Sequence, residues 1–454
     1  MNVACGEQFT GQNALVCRFV NSLSEEQRYL HPSEVWGIFG GLAERHADSA
    51  DIAVKIEPFK PDGQETGVNF FILEPKLRDG EQPLRTAVFQ CNPHSNEVLW
   101  TRTATALAKY FCENPDDLHE LGYRLVFFDA EPGSTDLNSE ELFNADADVL
   151  TVLKSACRTY TNPDFDHPLS DPELAKQYRR RTWGGKAAAW LIDKFMPEYW
   201  QSMHDGECPN DYMFVSRDFP ELWPLIVKLH NVVGLPLGES PEGGEKKVTG
   251  IYQMKPKEKY STIEGVQFGE NSILHHAHRL GPAVFALLSE TPRFEATFKQ
   301  LSEQEVFEFR VSVREQLLDV TRQMRDIVSH PAVRALQDPM LARILKETIP
   351  ATTSWTNRVN GWDDLSKMPD DSVQLISLPY WIGRFLGQAA RLARGAGLED
   401  KAALADQTLE RIAAQVVEAT GAKPISIRRR VALQAGCALP AMLELKRQGA
   451  TARS

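Results

Sequence analysis

The chain is expected to be mainly α, with a smaller N-terminal α/β domain at residues 1–162 followed by a larger helical domain at 163–454. Three observations carry that expectation. Short β-branched and aromatic runs are confined to the first third. Helix-breaking Asn162-Pro163-Asp164 and His167-Pro168 then interrupt the chain. Beyond them, apolar residues recur at spacings of three and four.

In the first part, strand-like runs cover 51–59, 67–74, 84–91 and 123–129. The last of these, Tyr123-Arg124-Leu125-Val126-Phe127-Phe128-Asp129, reads as a buried strand closed by a Pro-Gly turn. Helical patterns fill 104–112 and 140–157. After the break, 183–203 reads as a helix until Pro197 interrupts it. The Gly- and Pro-rich stretch 234–247 reads as a surface loop or lid. The clearest helix is 303–328. Ser302 and Glu305 form a capping box, and Val306, Phe309, Val313, Leu317, Val320, Met324 and Ile327 make one apolar stripe. Pro331 ends it. A further helix runs from about Asp400 to Gly421, an N-cap and a C-cap candidate.

Composition excludes several classes. With 50 basic against 62 acidic residues the net charge is −12, which argues against nucleic-acid and anionic-membrane partners. No apolar run approaches the roughly 18 residues of a membrane span, and the first residues lack the basic and apolar regions of a signal peptide. Seven scattered cysteines without a CxxC pair fit reduced thiols and a cytoplasmic location. The oligomeric state is left open.

Candidate chemistry lies between Tyr212 and His330. His330 follows the apolar stripe, where it is either an axial ligand at the wall of an apolar cavity or a histidine favoured by the helix dipole. Arg217 follows Tyr212 and Phe214 and precedes Phe219 and Trp223. That company suits a flat substrate bearing a carboxylate, or an arginine covering a core edge with its stem. His275 and His278, three apart, are half of a non-haem metal site or structural polar residues. His204 and Cys208 have the spacing of a mixed ligand pair. Trp183-Gly184-Gly185-Lys186 lacks the first glycine and the Ser/Thr of a phosphate loop. No HExxH, GxSxG or dinucleotide fingerprint occurs.

Over roughly residues 204–335 the chain resembles the indoleamine 2,3-dioxygenase family of haem-dependent aromatic oxygenases. The resemblance rests on aromatics before Arg217 with Trp223 six residues on, and on a glycine-spaced stretch from Gly265 to Leu274 with Asn271-Ser272 in place of a serine pair. It continues through Leu288-Ser289-Glu290 as a turn and the long helix leading to His330. It implies haem b between helices with His330 on iron. It also implies an aromatic, indole-like substrate and O2. Arg217 would then hold the substrate carboxylate, with Tyr212, Phe214 and Trp223 shaping the distal wall and Gly265, Gly269 and Ser272 over the haem. The alternatives are a non-catalytic helical ligand-binding protein and a non-haem metal enzyme using His275 and His278.

Overall fold

The computed structural model describes residues 9, 11, 14–60, 67–77, 84–159, 183–206, 211–235, 237–240, 244–253, 261–263, 266–268, 284–297, 302–369 and 372–451. Its centre is a nine-stranded mixed sheet. The strands are β1 (Ile52–Phe59), β2 (Val68–Pro75), β3 (Arg85–Cys91), β4 (Tyr123–Asp129), β5 (Tyr199–Gly206), β6 (Tyr212–Val215), β7 (Glu245–Val248), β8 (Ile251–Gln253) and β9 (Phe285–Pro292). Their order across the sheet is β1-β2-β4-β3-β5-β9-β6-β8-β7. The middle four, β4, β3, β5 and β9, run parallel. Antiparallel strands extend both edges.

This overturns the expected fold class. The chain is mixed α/β around one large sheet, not a helical domain with a small α/β appendage. The sheet runs straight through the expected boundary near residue 162, because β5 from the second part pairs with β3 from the first. Two segments account for the difference. Residues 183–203 contain a helix only to Phe195, and the chain then turns into β5. Leu288-Ser289-Glu290, expected as a turn, is the middle of β9. Both strands are buried along their whole length on both faces. Such strands lack the period-two alternation that marks a half-exposed strand.

Helices on both faces of the sheet complete the α/β frame and its insertion. On one face of the sheet, Phe71, Phe89, Phe127, Tyr199 and Leu287 pack in the core shared with α1 (Pro32–Arg45), α2 (Trp100–Glu113) and the C-terminal helix. On the other, Phe70, Val88, Phe128, Trp200 and Leu288 pack against α4 (Trp183–Phe195) through Ala187, Ala188, Leu191 and Ile192. Gly184 on α4 is explained by this packing. A Cβ there would lie 2.3 Å from the Ala130 carbonyl oxygen.

Between β9 and the last helix lie four long helices. With α3 (Val149–Ser155) and α5 (Trp223–Val233) counted before them, these are α6 (Glu303–Ser329), α7 (Pro339–Asn360), α8 (Ser372–Gly395) and α9 (Glu399–Thr420), and α10 (Ile427–Thr451) follows. A two-residue pairing of Phe294-Glu295 with Lys423-Pro424 closes the base of this insertion. The capping box at Ser302 and Glu305 forms as expected, and Val313, Leu317, Val320, Met324 and Ile327 are buried. Gly421 ends α9 in the left-handed conformation, but the N-cap position is Leu398 and Asp400 lies in the first turn. The stretch expected as a lid starts at the C-cap Gly234 of α5 and ends in edge strand β7. Among the described residues no helix is long and apolar enough to cross a membrane. Cys17 is disulfide-bonded, against the expectation of reduced thiols, while Cys91, Cys112, Cys157 and Cys437 are free and buried.

Candidate metal centre

The site lies at the C-terminal ends of the parallel strands, where an open α/β sheet presents its loops. After β3 the chain makes a tight connection, Asn92 to Leu99, into α2. Within it the Glu97 amide donates to the His94 carbonyl at 3.0 Å, which sets the side chains of His94 and Glu97 on one side of a single turn. His204 is near the end of β5. In the β5–β9 register it stands opposite Glu290.

These segments converge. Ligand-type atoms of His94, Glu97 and His204 lie within 4.8 Å of one another, and all three residues are buried. Among the described residues no other group of three or more His, Cys, Asp or Glu side chains closes in this way. His204 Nδ1 is 2.9 Å from Glu97 Oε2 and 3.7 Å from Glu290 Oε1. Its Nε2 is 3.2 Å from Ser202 Oγ. The two imidazole rings are 5.1 Å apart. His94 Nδ1 is buried without a hydrogen-bond partner. Burial drives the His94 pKa well below its usual value, and the positive fields of Arg158, His204 and Arg384 add to this. The ring is therefore neutral at physiological pH, the form that ligates metals.

A polar scaffold fixes the His94–Glu97 turn. Asn92 adopts a left-handed φ of 53°. Its side-chain amide donates to Asp129 Oδ1 at 2.8 Å and to the Glu131 carbonyl at 2.9 Å, and its oxygen accepts from Thr135 Oγ1 at 3.0 Å. Ser95 donates to the Cys157 carbonyl, and its own carbonyl accepts from Asn138 Nδ2 at 2.6 Å. Asp129 is fully buried, and desolvation pushes its pKa up to about 7 against the opposing hydrogen bonds from Asn92 and the Glu131 amide.

Two guanidinium groups frame the carboxylate. Arg158 Nη1 donates to Glu97 Oε1 at 2.6 Å. Arg384 comes from α8 and is 3% exposed. Burial pushes its pKa well down, the nearby Arg158 pushes it further, and Glu97 opposes both. One turn on, Gln388 Nε2 donates to the Arg158 carbonyl at 3.0 Å and Gln388 Oε1 accepts from Thr348 of α7 at 3.1 Å. The helical insertion thus forms part of the site wall.

Of the described residues singled out in the sequence, His204 belongs to the site, while His330, Arg217, Tyr212, Phe214 and Trp223 fall elsewhere. His330 is half-buried between two helices, where its Nδ1 accepts from the Ala332 amide at 3.2 Å and caps the short helix Pro331–Arg334. Arg217 follows β6, partly buried, 5.7 Å over the Phe219 ring, with its pKa lowered by desolvation. Tyr212 and Phe214 lie in the core on the α4 face of the sheet, whereas Trp223 lies in the core on the opposite face. The sheet separates Trp223 from Tyr212 and Phe214, so the three do not form one wall. Gly265, Gly269, Ser272, His275 and His278 lie outside the described residues. In the sequence His204 stands out only through its spacing from Cys208 and Glu290 only within the expected turn 288–290, while His94 and Glu97 carry no reading of their own. A usable signal existed in His94-Ser95-Asn96-Glu97, a His-x-x-Glu spacing directly after a strand and before a helix.

No family model matches the chain, and no curated protein matches it. Solved structures give distant likenesses. A metallo-carboxypeptidase from Burkholderia cenocepacia is 11% identical with a TM-score of 0.34, over 58% of this chain and 60% of that one. Bovine thrombin-activatable fibrinolysis inhibitor, solved with tick carboxypeptidase inhibitor, is 9% identical with a TM-score of 0.35, over 73% and 98%. A tomato leucine aminopeptidase mutant is 14% identical with a TM-score of 0.31, over 63% and 56%. The chain therefore spans 60% of the first of these structures.

Proposed function

We propose that the protein is a metal-dependent hydrolase that cleaves an amide or ester bond in an anionic substrate. The observation that carries this reading is the convergence of His94, Glu97 and His204, three buried donors within 4.8 Å. Two imidazoles and one carboxylate, with a coordination position left open, are a donor set of catalytic zinc sites. The residues fit the ion. His94 Nδ1 is a buried acceptor or donor with nothing to bond, and its ring is held neutral. Bound there, zinc would supply Lewis acidity and lower the pKa of a water ligand.

The chain's own residues supply the remainder. Glu290, 3.7 Å from His204, is placed to take a proton from the attacking water and return it to the leaving nitrogen or oxygen as the C–N or C–O bond breaks. Arg158 orients Glu97 through their ion pair. Against two carboxylates, Glu97 and Glu290, the site would gather two guanidiniums and a divalent cation, a net charge of about +2. In a dry site that excess favours a negatively charged substrate group.

The decisive experiment is metal analysis of the full-length protein expressed with zinc and with haem precursor. About one zinc per chain is expected, lost in His94→Ala and Glu97→Ala, with no Soret band. A Soret band removed by His330→Ala, with no bound zinc, would instead support a haem oxygenase and overturn the hydrolase reading.

A further inference from the structure

α10 presents two polar side chains, Arg430 and Gln434, to the back of the sheet, one helical turn apart on the same face. Both are fully buried. Gln434 Nε2 donates to the backbone carbonyl of His204 at 2.7 Å. The Gln434 carbonyl accepts from Gln201 Nε2 at 2.9 Å, and that same nitrogen reaches Ser289 Oγ at 3.1 Å. Arg430 pairs with Asp205, donates to the Tyr29 hydroxyl, and reaches the Pro292 carbonyl at 2.8 Å and the Thr291 carbonyl at 3.4 Å.

Every one of these contacts except that to Tyr29 falls on β5 or β9, within three residues of His204 or Glu290 on the same strand. Side chains alternate along a strand. Asp205, Gln201 and Ser289 therefore face α10 while His204 and Glu290 face the site. Burying a guanidinium and an amide is costly, and apolar replacements of similar volume are often neutral or stabilising. Bulk stability alone does not account for this pair.

We infer that α10 is a positioning element for the metal centre: Gln434 and Arg430 clamp the ends of β5 and β9 from behind and fix the separation of His204 from Glu290. The inference rests on the metal reading above. Outer partners of metal ligands that orient them change metal affinity or activity by roughly 10–100-fold when removed.

The test measures zinc affinity of the full-length protein by competition with a chromophoric chelator, and the visible spectrum of the Co2+ form. Gln434→Met keeps the shape and removes the donor. It is expected to raise the zinc Kd by about 10–100-fold and to shift the Co2+ bands. Arg430→Lys keeps the charge but cannot bridge both strands, and it is judged by the same readouts if Gln434→Met does not fold. The control is Arg429→Ala on the same helix. Arg429 bonds the Val233 and Gly234 carbonyls and Glu295, away from β5 and β9. It should leave Kd and spectrum unchanged. If Gln434→Met and Arg430→Lys bind zinc as wild type does, or if Arg429→Ala weakens it equally, the positioning role is overturned while the metal reading stands. A wild type that binds no zinc overturns both.

Discussion

At the scale of single residues, the site is built from side chains whose ordinary behaviour is altered by burial. His94 is held neutral because a buried cation beside two arginines would be too costly. Glu97 lies between the Arg158 guanidinium at 2.6 Å and His204 Nδ1 at 2.9 Å. Glu290 differs from both: its Oε1 lies 3.7 Å from His204 Nδ1, and 11% of its side chain is exposed. A ligand and a proton carrier should respond differently to removal of charge. Glu290→Gln is expected to keep the bound zinc but to lower kcat by about 100- to 10,000-fold on any substrate the wild type hydrolyses. Zinc content and turnover of the same sample check this, and loss of zinc together with activity would make Glu290 a ligand instead.

Among the elements, the helices were legible and the decisive strands were not. The 303–328 stripe and its capping box are local signals, and local signals survive without knowledge of the fold. β5 and β9 have no such signature, because both of their faces are covered. The polar residues within them, Gln201, His204, Asp205, Ser289 and Glu290, break the apolar run where the site and its rear clamp require it. α8 shows how closely the insertion is fitted to the frame. A Cβ on Gly387 would lie 2.0 Å from the backbone oxygen of Leu153 in α3, an atom that cannot rotate away. Gly387→Ala should therefore push α8 outward and destabilise the protein by about 1–3 kcal/mol, measured as a fall in denaturation midpoint. Since Arg384 and Gln388 flank that glycine, zinc affinity or turnover should fall with it. An unchanged midpoint would show that α3 and α8 are not in firm contact.

For the molecule as a whole, the scaffold behind the metal turn makes stability depend on pH. Asp129 has an ordinary value of 3.8 and is raised to about 7 in the folded state, chiefly by desolvation. Between those values the folded protein binds a proton that the unfolded chain has released. This contribution to stability is thus fully present below about pH 4 and is lost as pH rises through 7. Each unit of displacement corresponds to about 1.4 kcal/mol. Asp129→Asn keeps an oxygen for the Asn92 amide and removes the titration. It is expected to be more stable than wild type at pH 8, and to flatten the stability profile between pH 4 and 7. A profile identical to wild type in denaturant titrations across that range would show that Asp129 titrates normally.

Taken alone, the sequence determined the charge class, the absence of any apolar run long enough for a membrane span, the capped helix at 303–328, and the strands at 51–59, 67–74, 84–91 and 123–129. These depend on composition or on neighbours within a few residues. It also contained the His94-Ser95-Asn96-Glu97 spacing, although a His-x-x-Glu pair gains meaning only when a third donor is brought beside it. Only the tertiary structure decided that the third donor is His204, that Glu290 faces it from the next strand, and that Arg384 arrives from a helix nearly three hundred residues along the chain from His94. It also decided that His330 caps a helix and that Tyr212 and Trp223 lie on opposite faces of one sheet. The reason is physical. A parallel sheet joins residues through long crossovers, so side chains that meet at its C-terminal edge have no fixed spacing in the sequence.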